Sequence, residues 1–117
     1  MLSLETARSI DHIAFSSDCR DLYIESDGLT RYSLEDLSDT TTIYDGFISI
    51  VDFAPEVGLA ALGWWPGEAA VIDLRSGTTI SSFEGHADGL SRVALSADGS
   101  LMAISGEWRD KPEAWLW

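Results

Sequence analysis

The chain has 117 residues, 45% of them apolar, and sets 20 Asp and Glu against 7 Lys and Arg for a net charge of −13. That size suits one domain with a buried core, and the apolar content excludes a disordered chain. The acidic field repels nucleic acid and anionic membrane surfaces, so neither is expected as a partner, and a basic protein surface is favoured. The acids are scattered and form no run. They also keep a strand-rich surface soluble and discourage edge-to-edge pairing.

Cys19 is the lone cysteine, so an intrachain disulfide is excluded and a reducing compartment is expected. The start, Met1-Leu2-Ser3-Leu4-Glu5, lacks a basic region followed by a long apolar stretch, unlike a signal peptide. No window approaches the ~18 apolar residues of a membrane span. A cytoplasmic location is the default expectation.

In chain order, Ile13, Phe15 and Ser17 alternate with Ala14 and Ser16, as in a strand with one set of side chains on each face. The cluster Asp18-Cys19-Arg20-Asp21 reads as a turn, with Cys19 where a glycine would be easier. Leu22–Glu25 and Leu29–Leu34 read as the next strands, and Thr40–Tyr44, rich in β-branched residues, as the fourth. Val51 and Phe53 begin a second round, with a turn at Glu56-Val57-Gly58. Leu59–Leu62, Ala69–Leu74 and Thr79–Phe83 follow, the last after the hairpin turn Arg75-Ser76-Gly77-Thr78. Val93 and Leu95 begin a third round. Asp98-Gly99-Ser100 is a strong hairpin signal, because glycine reaches positive φ without steric cost. Leu101–Ser105 and Ala114–Trp117 complete that round. No segment has a convincing helical period.

The three rounds are copies of one pattern. Gly85-His86 is followed by Leu90, Val93, Ala94, Leu95 and then Ser96-Ala97-Asp98-Gly99. A step back of 42 residues (95 − 53) finds Tyr44, Ile48, Val51, Asp52, Phe53 and Ala54-Pro55-Glu56. A further 38 (53 − 15) finds Thr6, Ile10, Ile13, Ala14, Phe15 and Ser16-Ser17-Asp18. A period of roughly 40–45 residues is that of a four-stranded propeller blade, a unit that buries its faces only by stacking on neighbours.

The third copy resembles the WD-repeat β-propeller family. The resemblance rests on Gly85-His86, the apolar offsets after it, the Ser96–Gly99 turn and the closing Trp115-Leu116-Trp117. In the second copy, Val71-Ile72-Asp73-Leu74-Arg75-Ser76-Gly77 looks like the family's third strand and turn, with Ile72 in place of the usual Trp. Tyr32 takes that place in the first copy. The resemblance implies an all-β fold of three four-stranded antiparallel blades, at about residues 1–37, 38–77 and 78–117, forming a partial propeller. It also implies a structural hydrogen-bonded set of His86, Ser105, Asp110 and Trp117. Asp110 stands one residue further from the Trp than the family pattern has it.

Chemistry-bearing constellations are missing from the pattern. Two His and one Cys give no local metal cluster, and no nucleophile elbow, phosphate loop or Ser/His/Asp arrangement stands out. Asp18 and Asp21 fit a polar turn better than a calcium site. No cofactor and no catalysis are expected. The candidate binding residues are aromatic: Trp64-Trp65-Pro66-Gly67 lies between the second and third strands of copy two, and Trp108-Arg109-Asp110 holds the equivalent place in copy three. In WD-repeat propellers these loops, with the one carrying His86, line a face that commonly binds proteins. Trp and Arg are also the residues most enriched at binding hot spots. The competing expectation is that one of Trp64 and Trp65 packs between blades.

Two functions are expected on these grounds. The first is a non-catalytic protein-interaction or scaffold module that assembles into or completes a propeller. Its partner is protein: either a second copy, in a dimer where each chain lends Leu2–Thr6 to the other's third blade, or a complementary propeller chain. The alternative is a small acidic inhibitor or immunity-type protein on a basic enzyme site. A fragment of an enzymatic propeller is a weaker third reading that no residue supports.

Overall fold

The computed structural model describes residues 3–4, 8–84, 89–108 and 111–116. The described residues form an all-β protein, with one 3₁₀ turn at Pro55–Val57. Strands β1 (His12–Phe15), β2 (Asp21–Glu25), β3 (Leu29–Ser33) and β4 (Thr40–Tyr44) pair in chain order as an antiparallel meander. Strands β5 (Ile50–Ala54), β6 (Leu59–Trp64), β7 (Glu68–Asp73) and β8 (Thr79–Phe83) repeat that arrangement. Strands β9 (Gly89–Leu95), β10 (Met102–Trp108) and β11 (Lys111–Leu116) form a third antiparallel sheet. Four strands per sheet, the sequence expectation, therefore hold for the first two sheets, and the third has three among the described residues.

The copies share their register. Ile13 faces Ile24 and Phe15 faces Leu22 in the first sheet. Val51 faces Leu62 and Phe53 faces Ala60 in the second. Val93 faces Ile104 and Leu95 faces Met102 in the third. The strand period of two then fixes what each face carries.

The middle sheet is buried on both sides. On one side Val51, Phe53, Ala60, Leu62, Ile72 and Leu74 pack with Tyr23, Leu29 and Ile43 of the first sheet. On the other, Ile50, Leu59, Ala61, Ala69, Val71 and Phe83 pack with Val93, Leu95, Met102 and Ile104 of the third. The run Ala60-Ala61-Leu62 is thus apolar without alternation, because both its faces meet a neighbour. Leu29, Leu62, Ile72 and Leu74 are almost wholly buried, each contributing roughly 1.5–3 kcal/mol. Small residues bring the second and third sheets close: a Cβ on Gly63 would sit 2.6 Å from Ile50 Cγ1 and 3.3 Å from Leu90 Cδ1.

One polar contact ties those sheets together. The Asp52 carboxylate on β5 accepts the Leu95 backbone N–H of β9 at 2.7 Å. Leu95 lies on β9, an edge strand of its sheet, so this carboxylate does for its N–H what a further ladder strand would do.

The three β1–β2-type turns keep one backbone shape with different residues. Cys19, Gly58 and Gly99 all take left-handed φ, at 60°, 68° and 75°. Glycine does so freely, whereas a side chain costs about 1–2 kcal/mol there. The strain expected at Cys19 from the sequence is therefore located in its backbone. Replacing Cys19→Gly should stabilise the fold by about 0.5–1 kcal/mol, net of glycine's larger unfolded-state entropy. Gly58→Ala should act in the opposite direction by about 1 kcal/mol, with no contribution from crowding, since nothing lies within 4 Å of the added Cβ. Urea denaturation of the two variants measures both signs.

Candidate interaction surface

Antiparallel connections sort the loops to two ends. The β1–β2, β5–β6 and β9–β10 turns lie at one end of their sheets, and the β2–β3, β6–β7 and β10–β11 turns at the other. Neighbouring sheets point the same way. Val57 of the β5–β6 turn lies 3.1 Å from the Cβ position of Gly99 in the β9–β10 turn. At the opposite end a groove of about 350 Å³ is lined jointly by Glu25–Asp27 of the first sheet and by Phe47 and Ile48, which lead into the second.

The end carrying the β1–β2, β5–β6 and β9–β10 turns satisfies itself. In the first turn the Ser16 hydroxyl donates to Asp18 Oδ1 at 2.6 Å, and that oxygen also accepts the Arg20 N–H. In the third, Asp98 Oδ1 accepts from the Ser96 hydroxyl, the Ser100 N–H and the Ser100 hydroxyl at 2.7–3.0 Å. The Ser100 amide and hydroxyl, then Ser96, hold the Asp98 carboxyl down at about 2. The Ser16 hydroxyl and the Arg20 amide likewise lower Asp18. The amides of Ser76 and Arg75 lower Asp73 at the β7–β8 turn. Asp18 is engaged by its own turn, and Asp21 pairs with Arg31 at 2.8 Å. Arg31 also donates to Thr41 at 3.1 Å. A cleft of about 450 Å³ between the first two sheets is lined by these paired groups, by Glu56 and by Arg75.

The other end presents aromatic surface. Trp64 closes β6 opposite Glu68 of β7, and its indole N–H donates to Glu68 Oε2 at 2.9 Å. Its ring stacks on Tyr44 with centroids 5.8 Å apart. The three-residue loop Trp65-Pro66-Gly67 comes next, with a cis Trp65–Pro66 bond and the Gly67 N–H returning to the Trp64 carbonyl at 3.1 Å. Trp65 projects from this short loop and is 75% exposed. Phe47, in the loop leading into β5, is 69% exposed at the same end. Of the two tryptophans, Trp64 packs and Trp65 faces solvent.

Trp108 ends β10 opposite Lys111. The Trp108 side chain and Arg109 lie outside what the structure describes, as do His86, Asp110 and Trp117 of the expected hydrogen-bonded set. Ser105, the described member of that set, is half-buried on β10 between Arg92 and Ala114.

Two groups escaped the sequence reading. Glu25 is 3% exposed, and one of its carboxylate oxygens meets His12 Nδ1 at 3.2 Å across the first hairpin. The pair is separated by 13 residues and depends on strand register, which short-range spacing does not reveal. Phe47 sits in a connecting loop without a motif. Among the described residues no group of three or more His, Cys, Asp and Glu could hold a metal ion. No described helix is long and apolar enough to cross a membrane.

No protein-family model matches this sequence. No curated protein matches it either.

The Asp98 turn gives a pH test. Its folded-state carboxyl is depressed, so its stabilisation is complete above the unfolded value of 3.8 and is lost as pH falls through about 2. The stability difference between the wild type and Asp98→Asn should hold constant above pH 4 and shrink steadily below it. An NMR titration of Asp98 with a midpoint at the ordinary value would contradict the assignment.

Proposed function

We propose that this chain is a non-catalytic protein-interaction module: a partial propeller of three blade-like sheets that acts as a scaffold by presenting one loop end to a protein partner. The observation that carries the reading is Trp65, three-quarters exposed on a short closed loop. An exposed indole held on a rigid base offers a large contact area at little entropic cost, as binding hot spots do. Trp108 and Arg109 belong to the same surface in this reading, because their turn is the third copy's equivalent of the Trp65 loop. Trp64 supports that loop from beneath. The opposite end is a poorer surface, because Asp18 and Asp98 are committed to their own turns and Asp21 to Arg31.

The net charge of −13 favours a second reading, an acidic inhibitor or immunity-type protein that occupies a basic enzyme site. The two differ in salt dependence, since steered encounter between opposite charges weakens as ionic strength rises.

Peptides selected from a displayed random library on the immobilised protein separate these readings. The interaction module predicts peptides whose affinity falls at least tenfold, about 1.4 kcal/mol, in Trp65→Ala. The same peptides should bind Asp98→Asn, at the opposite end, unchanged. Binders that ignore Trp65→Ala and lose affinity steeply between 50 and 300 mM salt would replace this reading with the acidic-inhibitor one.

A further inference from the structure

Among the described residues, Glu25 is the one charged or polar side chain that is buried, at 3% exposed. Strand register puts it there. Glu25 pairs with His12 on β1 and with Leu29 on β3, and it shares the face of Tyr23 on its own strand. Tyr23 and Leu29 pack in the core between the first and second sheets, so Glu25 is held at that same interface, toward its aromatic end. Burial alone would favour an apolar residue at this position.

A carboxylate buried so deeply is costly unless it is paired. Its Oε2 meets His12 Nδ1 at 3.2 Å. Its Oε1 has no hydrogen-bond partner among the described residues. No buried polar side-chain atom among those residues is both sealed from solvent and unbonded. Oε1 therefore opens on the groove of about 350 Å³ that Glu25 lines.

The groove has a sign and a shape. Its charged walls are Glu25, Asp11, Asp27 and Arg8, three carboxylates against one guanidinium. Arg8 is engaged with Asp27 at 3.4 Å. Phe47 and Ile48 supply an apolar wall. The Ser49 N–H donates to the Gly63 carbonyl at 2.8 Å, so Phe47 and Ile48 run beside the end of β6, where Trp65 leaves the sheet. The groove and Trp65 are thus parts of one surface.

We propose that this groove takes one lysine side chain of the protein partner, its ammonium on Glu25 Oε1 and its methylene stem along Phe47 and Ile48. The inference rests on the interaction-module reading and names the chemistry of the partner segment that lies next to Trp65. The excess of carboxylates selects a cation. The half-engaged carboxylate selects which cation. A guanidinium presents a fork of N–H groups that is matched by both oxygens of a carboxylate, and Oε2 is already taken by His12. An ammonium is a compact point donor and is satisfied by the one remaining oxygen. Its flexible stem buries against apolar surface while the charged head stays with its partner.

The probe is the set of peptides from a displayed random library that bind the immobilised protein and lose affinity in Trp65→Ala. These peptides should share a lysine at one fixed position. Norleucine there keeps the stem and removes the ammonium, and should weaken binding about tenfold or more, as should Glu25→Gln in the protein. The two losses should not add: the norleucine peptide should bind wild type and Glu25→Gln alike. Arginine at that position should bind more weakly than lysine. Equal binding of the norleucine peptide by both proteins also shows that Glu25→Gln has kept the surface folded. A Glu25→Gln loss of the same size for lysine and norleucine peptides would make Glu25 purely structural and overturn the proposal. So would Trp65-dependent peptides that share no lysine, or that prefer arginine. In each of those cases the interaction-module reading stands. A library that gives no Trp65-dependent binder removes that reading and the lysine groove together.

Discussion

Burial of the middle sheet on both faces is the constraint on which the rest of the molecule depends. A sheet with one solvated face can alternate apolar and polar residues. The strands β6 and β7 cannot, and the buried residues Ala60, Ala61, Leu62, Ala69, Ala70, Val71 and Ile72 are what that constraint looks like in sequence. Side-chain size is regulated as strictly as polarity. Large residues at Ala61 or Gly63 would hold the third sheet away, and Asp52 would then lose its reach to the Leu95 amide.

The turns are shaped by the same stacking. A chain that lays sheets side by side must reverse direction at every strand end, and it must satisfy the backbone exposed there. At one end Ser and Asp side chains do this in the first and third turns, so Asp18 and Asp98 are engaged locally, while the β5–β6 turn closes through its backbone, Gly58 N–H to the Pro55 carbonyl. At the other end the reversal between β6 and β7 is built from Trp65-Pro66-Gly67, and the polar work falls to the Trp64–Glu68 pair beneath it. The division of labour leaves one end polar and internally satisfied and the other with exposed aromatic surface. The functional proposal draws on that asymmetry.

Much of the fold is legible in the sequence. The recurring Ile13/Phe15, Val51/Phe53 and Val93/Leu95 pairs locate the first strand of each sheet, and the polar turns after them locate the start of the second. The fourth strands Thr40–Tyr44 and Thr79–Phe83 match their expected spans. The third sheet is less legible. Its last strand begins at Lys111, not Ala114, and runs through Pro112. A proline argues against a central strand, but β11 stands at the edge of its sheet, where a missing N–H is tolerated. The second strand of that sheet likewise runs on to Trp108, beyond Ser105, where Trp108 pairs with Lys111. The aromatic loop is visible as a motif, but not which tryptophan packs. That choice is set by strand parity: Trp64 shares the face of Leu62 and meets Tyr44, whereas Trp65 leaves the strand. The His12–Glu25 pair is invisible in the sequence, since it depends on a register that only the folded hairpin defines.

Amide hydrogen exchange, read segment by segment, tests the two-sided burial most directly. If the middle sheet carries both cores, the amides of β6 and β7 open only with global unfolding and exchange slowest in the molecule. Those of β1, β4 and β11, each at a sheet edge or beside an exposed face, should exchange at least tenfold faster. Protection in β6 and β7 no greater than in β1–β4 would mean that the middle sheet is not clasped on both faces, and the stacked arrangement would be wrong.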